Sequence, residues 1–178
     1  MHQLLLNRDI YDEVMLKRLP DARRFVWIIT ADIKDLHLDT GFGFEPLLAL
    51  LSRLIERGIA VRLIHAKEPG SRFRQHFDDY PALIQSELFE RILCPRVHTK
   101  AIVIDGTGAF VGSANLTGAG LGAKHKDGRN FEAGFWFEDR RQLAELMDWV
   151  DSLYLGDQCG NCRRRKYCAD PIDEHINS

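Results

Sequence analysis

The chain has 178 residues, 45% hydrophobic and 28% charged, with six prolines; this fits one globular domain and excludes collagen-like, low-complexity and wholly disordered chains. A chain of this length buries roughly 70% of the surface its unfolded form exposes, so folding needs no disulfide framework. Its 24 basic and 26 acidic side chains leave a formal charge of −2, which excludes a global basic field, so any anion site must be local.

No window approaches the roughly 18 consecutive apolar residues of a membrane span, and Asn7, Arg8, Asp9 and Asp12 interrupt the region where a signal peptide needs an apolar run. The expectation is a cytoplasmic protein with no membrane partner.

In chain order, Phe25–Thr30 is short, β-branched and apolar, as a buried strand is, with Asp32 and Asp35 ending it. A helix follows: Pro46 suits its first turn, Leu47, Leu50, Leu51 and Leu54 share one face, and Gly58 stops it. Residues 59–65 read as a second strand. A strand, a helix and a strand within about forty residues predict a right-handed crossover and an α/β architecture. Residues 72–79 read as a polar excursion, 82–93 as a second amphipathic helix, and 97–105, 109–114 and 131–137 as strands. Asp139 caps a last helix, whose Leu143, Leu146, Met147, Val150 and Leu153 fall at helical spacing before Gly156. The predicted fold class is α/β, a mixed β-sheet flanked by helices on both faces. Residues 1–156 make the domain and 157–178 a cysteine-rich, basic appendage.

Within the third strand, His98 and Lys100 are two residues apart and share a face, while Val97, Thr99, Ala101 and Val103 take the other. Asp105-Gly106 favours a tight hairpin. A two-residue loop of Gly106 and Thr107 sets Lys100 opposite Ser113 and His98 opposite Asn115. On the next strand Asn130, Glu132 and Gly134 share a face, which lets the Glu132 carboxylate reach the imidazole and fix its tautomer. Such a set suits attack on a phosphodiester: one nitrogen of His98 is the nucleophile, Lys100 and Asn115 bind the non-bridging oxygens, and Glu132 orients the ring, with no catalytic metal required.

The pattern His98-x-Lys100-x4-Asp105 followed by Gly112-Ser113-x-Asn115 resembles the signature of the phospholipase D superfamily, and Asn130-Phe131-Glu132 resembles its downstream element. The resemblance spans about residues 24–151 and implies an α-β-α sandwich. Members with two motif copies build one active site from both; this chain has one copy, so the likeness implies a homodimer with a composite site. It further implies that His98 of one subunit forms a phosphohistidine while His98 of the other protonates the leaving oxygen. Ser113 would support the site from behind, and Asp105 would hold the hairpin rather than transfer protons. Single-motif members of this size include small bacterial nucleases, which points to nucleic acid, DNA or RNA, as the partner.

Residues 118–124, although glycine-rich, depart from dinucleotide and phosphate-loop patterns and read as a mobile loop beside the site. Lys124, Lys126 and Arg129 form a basic cluster suited to a nucleic-acid backbone, and Arg163, Arg164 and Arg165 form a second beside Tyr167.

Cys159-x2-Cys162-x5-Cys168 supplies three soft ligands, and Cys94 is the one cysteine left to complete a four-thiolate site. The arrangement is similar in spacing to the iron–sulfur staples of bacterial recombination helicase-nucleases. It suits either a [4Fe-4S] cluster or structural zinc. Either would tie the appendage to the segment entering the catalytic strand.

The expected activity is a metal-independent nucleic-acid phosphodiesterase. The alternatives are a phospholipase or phosphatidyltransferase, and a non-catalytic nucleic-acid-binding or redox-sensing module. The sequence also leaves room for a partner protein that delivers substrate.

Overall fold

The computed structural model describes residues 1–34 and 36–172. Asp35, expected to help end the first strand, and residues 173–178 of the appendage lie outside the described residues.

The strands are β1 (His2–Leu6), β2 (Phe25–Thr30), β3 (His37–Asp39), β4 (Phe44–Pro46), β5 (Ala60–His65), β6 (Phe89–Leu93), β7 (Lys100–Ile104), β8 (Gly108–Gly112) and β9 (Ala133–Phe137). The helices are α1 (Arg8–Ile10, running on as a π-helix over Tyr11–Arg18), α2 (Leu47–Glu56), α3 (Ser71–Asp78), α4 (Pro81–Gln85) and α5 (Arg140–Tyr154). Seven strands join one mixed sheet in the order β1-β9-β8-β7-β2-β5-β6, while β3 and β4 form a separate pair. The β2-β5-β6 block is parallel, and all other neighbours in the large sheet are antiparallel. Val- and Ile-rich β2 and β5 lie inside the sheet, where both faces are covered.

Helices cover both faces, as the sequence predicts. On one side Ile28, Ile102, Ile104 and Phe110 pack with Tyr11, Val14 and Met15 of the π-helix and with Leu47, Leu50, Leu51 and Leu54 of α2. On the other, Ile29, Ala101 and Val103 meet Leu143, Leu146, Met147 and Val150 of α5. Asp139 caps α5 by accepting from the Arg141 and Gln142 amides. Arg62 of β5 ties that layer further, pairing with Glu90 at 2.7 Å and Asp151 at 2.5 Å under the Tyr154 ring.

Several expectations need correction. The segment 82–93 is not one helix: α4 stops at Gln85, and Phe89–Leu93 pairs with β5 as the parallel edge strand. A half-helical apolar spacing there yields to the open edge of β5, whose backbone groups need partners. The excursion at 72–79 is the helix α3, which buries Phe73 and sets Phe77 against Phe89. Pro46 caps α2 in extended conformation instead of entering its first turn. The N-terminal residues, for which the composition offers no element, supply edge strand β1, paired antiparallel with β9.

The correction at the hairpin bears on the site. Asp105 (φ 57°) and Gly106 (φ 65°) do form the tight turn, closed by the Thr107 amide donating to the Ile104 carbonyl at 3.1 Å. Thr107 is then left over, so the ladder resumes at Ile104 opposite Gly108 and sets Lys100 opposite Gly112, not Ser113. One extra residue moves the whole pairing by one position.

Candidate active site

The elements of the motif converge at one end of the sheet, where β2, β5 and β6 finish and β7 begins. His98 stands exposed just before β7 and borders a cavity of about 500 Å³ with Ala31, Ala66, Lys67, Arg96 and Arg164. Crevices at the carboxyl ends of parallel strands are the usual place for ligands in such sheets.

Lys100 is only 8% exposed. Its Nζ donates to the His98 carbonyl at 2.6 Å and stands 3.3 Å from His98 Nδ1. Among the described residues no carboxylate pairs with it. A buried ammonium is costly unless an anion meets it, so this arrangement is built for one.

Behind Lys100, Gly112 and Gly134 lie side by side in the ladder because the ring of fully buried Phe110 packs over both. A Cβ on Gly112 would fall 2.6 Å from Phe110 Cζ, and one on Gly134 2.4 Å from Phe110 Cε2. Glycine is required here by space.

Asn115 is oriented from β2. Its Oδ1 accepts from the Asp32 amide at 3.1 Å, while Thr30 Oγ1 accepts from the Leu116 amide at 3.1 Å and donates to the Asp32 carbonyl at 2.8 Å. With Oδ1 engaged, the amide nitrogen is the group left to offer a substrate oxygen. Gly120 is close enough that a Cβ would lie 2.7 Å from the Asn115 carbonyl.

Glu132 accepts from Ser113 Oγ and, at 3.1 Å, from Asn130 Nδ2, and its own amide donates to Asn7 Oδ1 at 3.0 Å. The expected contact between Glu132 and the His98 ring is not among these bonds; the ring's partner is Lys100. Ser113 therefore links β8 to Glu132 instead of facing Lys100. Asp105 lies at the opposite end of β7, where its carboxylate accepts from the Arg23, Arg24 and Phe25 amides at 2.7–3.1 Å.

The 118–124 loop is more firmly held than expected. Leu121 is buried in the main core, Lys124 and Asn130 amides donate to Gly118 and Ala119 carbonyls, and Arg8 Nη1 donates to the Gly122 carbonyl. Lys124 and Lys126 are exposed, while Arg129 donates to the Lys124 carbonyl. Lys124 also borders a groove of about 800 Å³ with Lys34, His37, Arg72, Thr117 and Gly118.

The four cysteines border a third cavity, of about 350 Å³, together with His98, Val97 and Trp149. Among the described residues no three His, Cys, Asp or Glu side chains converge so as to hold a metal ion. The appendage grips the segment that leads to His98: Arg164 Nη1 donates to the Pro95 carbonyl at 2.9 Å, Cys168 Sγ to the Leu93 carbonyl at 3.5 Å, and the Leu93 amide to Asp170 Oδ2 at 2.7 Å. The Arg164 amide and, less strongly, the Arg96 side chain pull the Cys162 thiol below the ordinary range, whereas burial pushes Cys168 up. Arg163 is exposed, and half-buried Arg165 is engaged with the Cys159 and Ile172 carbonyls.

Thr30, Asp32 and Asn7, which place Asn115 and Glu132, carry no signal in the sequence because their partners lie 83 to 125 positions away.

The family described as cardiolipin synthase, PLD-like domain, matches residues 15–154. The chain belongs to the phospholipase D superfamily. A search of curated proteins finds no significant match. The fold of this PLD-like domain is similar to NucT from Helicobacter pylori (TM-score 0.63, 17% identity, covering 86% of this chain and 95% of that one). It is also similar to the phospholipase D family member Nuc from Salmonella typhimurium (TM-score 0.61, 14% identity, covering 86% and 94%). Phosphatidylserine synthase from Haemophilus influenzae Rd KW20 shares the fold as well (TM-score 0.62, 15% identity), with 85% of this chain matching 38% of that larger one.

Proposed function

We propose that this PLD-like domain is a phosphodiesterase that cleaves nucleic acid through a covalent phosphohistidine at a site shared by two copies of the chain. The observation that carries the reading is Lys100, a buried ammonium beside an exposed imidazole with no carboxylate partner among the described residues. A phosphodiester supplies the missing anion. Lys100 and the Asn115 amide bind its non-bridging oxygens, and Lys100 turns from Nδ1 of His98 toward the phosphate. One His98 ring nitrogen attacks phosphorus as the bond to the leaving oxygen breaks, and His98 of the second copy gives that oxygen its proton. Water then attacks the phosphohistidine, losing a proton to the second imidazole as the P–N bond breaks.

Three features favour this substrate and assembly. The chain matches NucT and Nuc over 86% of its own length and 94–95% of theirs, so the match takes in nearly the whole of those two chains. Lys67, Arg96 and Arg164 on one side, and Lys34, Arg72 and Lys124 on the other, give basic linings near the site on a chain with no net positive charge. Exposed Leu4, Leu6, Phe131 and Phe135 lie along β1 and β9 beside Glu132, an apolar surface suited to a second copy.

The family's description and the phosphatidylserine synthase neighbour favour a second reading, lipid headgroup transfer. Among the described residues no helix is long and apolar enough to cross a membrane. The test incubates wild type and His98→Ala, in EDTA, with labelled DNA, RNA and phospholipid vesicles, and sizes the protein in solution. Nucleic-acid cleavage by dimeric wild type alone is expected. Headgroup release establishes the lipid reading, binding without turnover a non-catalytic one, and cleavage by purified His98→Ala refutes the nucleophile.

A further inference from the structure

We infer that Cys94, Cys159, Cys162 and Cys168 hold a four-iron, four-sulfide cluster against the segment that delivers His98. The four side chains come from two parts of the chain about 65 residues apart in sequence, yet all border one cavity of about 350 Å³.

The room in that cavity suits the larger group. Zinc binds four sulfurs at about 2.3 Å, so they must crowd within roughly 4 Å of one another and leave no space between them. The four thiols instead border about 350 Å³ of space. A cubane cluster needs such room, because its four thiolates sit at separate corners with iron and sulfide between them.

The lining fits the same occupant. Val97, Trp149, Leu153 and Pro171 give the lining an apolar side, and Arg96 and Arg165 offset the negative charge of four thiolates. Framework bonds already bring the two parts together, from the Arg164 side chain to the Pro95 carbonyl and from the Leu93 amide to the Asp170 carboxylate. Cys94 itself is fixed at a tight turn, its amide donating to the His65 carbonyl at 2.8 Å and its carbonyl accepting from Val97 at 3.0 Å. A cluster bonded to Cys94 would lock that turn, and with it the approach to His98, without taking part in the chemistry.

The test is metal analysis of the full chain purified anaerobically. Iron and acid-labile sulfide in equal amounts, about four of each per chain, are expected, with a broad visible absorption that bleaches on reduction. Each Cys→Ser variant at the four positions should lose most of its iron, while Cys94→Ser keeps a folded far-ultraviolet spectrum. About one zinc per chain without sulfide, or neither metal, overturns the inference. The stoichiometry is read on wild type, so a variant that fails to fold does not rescue it. It is also read without any substrate, so its outcome is independent of whether the protein cleaves nucleic acid.

Discussion

Asp105 is the clearest place to separate structure from catalysis, because the motif presents it in line with His98 and Lys100 while the fold puts it roughly 20 Å of near-extended chain away. Its carboxylate accepts from three successive backbone amides and its φ is 57°. Replacing it with alanine removes charge-assisted hydrogen bonds worth about 1.5–3 kcal/mol each in a buried setting. Arg23 and Arg24 are exposed, so water compensates much of that, and about 2 kcal/mol should remain. Alanine in the left-handed region adds about 1 kcal/mol. The sum of about 3 kcal/mol corresponds to a fall in Tm of about 6–12 °C for a chain of this size. Asp105→Gly keeps the backbone conformation and should lose only the first part, and Asp105→Asn, with one oxygen and tolerance of positive φ, about 1 kcal/mol. Thermal melts give the stabilities, and turnover of an aryl phosphodiester well below Tm gives kcat. All three variants should turn over within twofold of wild type. A hundredfold loss of kcat in folded Asp105→Asn, the scale of a missing general acid, would refute this account. So would an unchanged Tm in Asp105→Ala.

Two further outcomes are expected. Gly112→Ala forces a Cβ to 2.6 Å from both the Ala133 carbonyl and Phe110 Cζ, an overpacking cost of about 1–3 kcal/mol; combining it with Phe110→Leu should recover part of the loss, and strict additivity in denaturant melts would count against a steric origin. Hydrogen bonds from Lys17 and Arg18 hold the Glu13 carboxyl below its ordinary value of 4.5, so the unfolded chain binds the extra proton in the window beneath 4.5. That contribution is therefore full above about pH 4.5 and lost as pH falls through the folded value; Glu13→Gln should flatten this part of the pH–stability curve, and an unchanged slope would contradict it.

Much of this molecule is written in short-range pattern. The run Phe25–Thr30, the leucine face of α2 with Gly58 (φ 80°) past its end, and Asp139 at the head of α5 each follow from residues a few positions apart. The motif likewise named His98, Lys100 and Asn115, and the count of cysteines picked out the four that share a cavity. What failed was longer in range. Residues 89–93 become a strand because β5 offers an unpaired edge, and Lys100 faces Gly112 because Thr107 closes the turn without joining the ladder. The first depends on a neighbouring strand, and the second on which two residues of the loop take the turn. Glu132 bonds Ser113 and Asn130, and Asn115 is aimed by Thr30 and Asp32, through contacts that exist only once distant strands lie side by side. The sequence by itself thus determined which residues make up the motif and the α/β class, because periodicity and residue type are local. Only the tertiary structure decided register, the partner of each polar group and the burial of Lys100, because these depend on which backbone edges and which cavities the assembled sheet leaves to be filled.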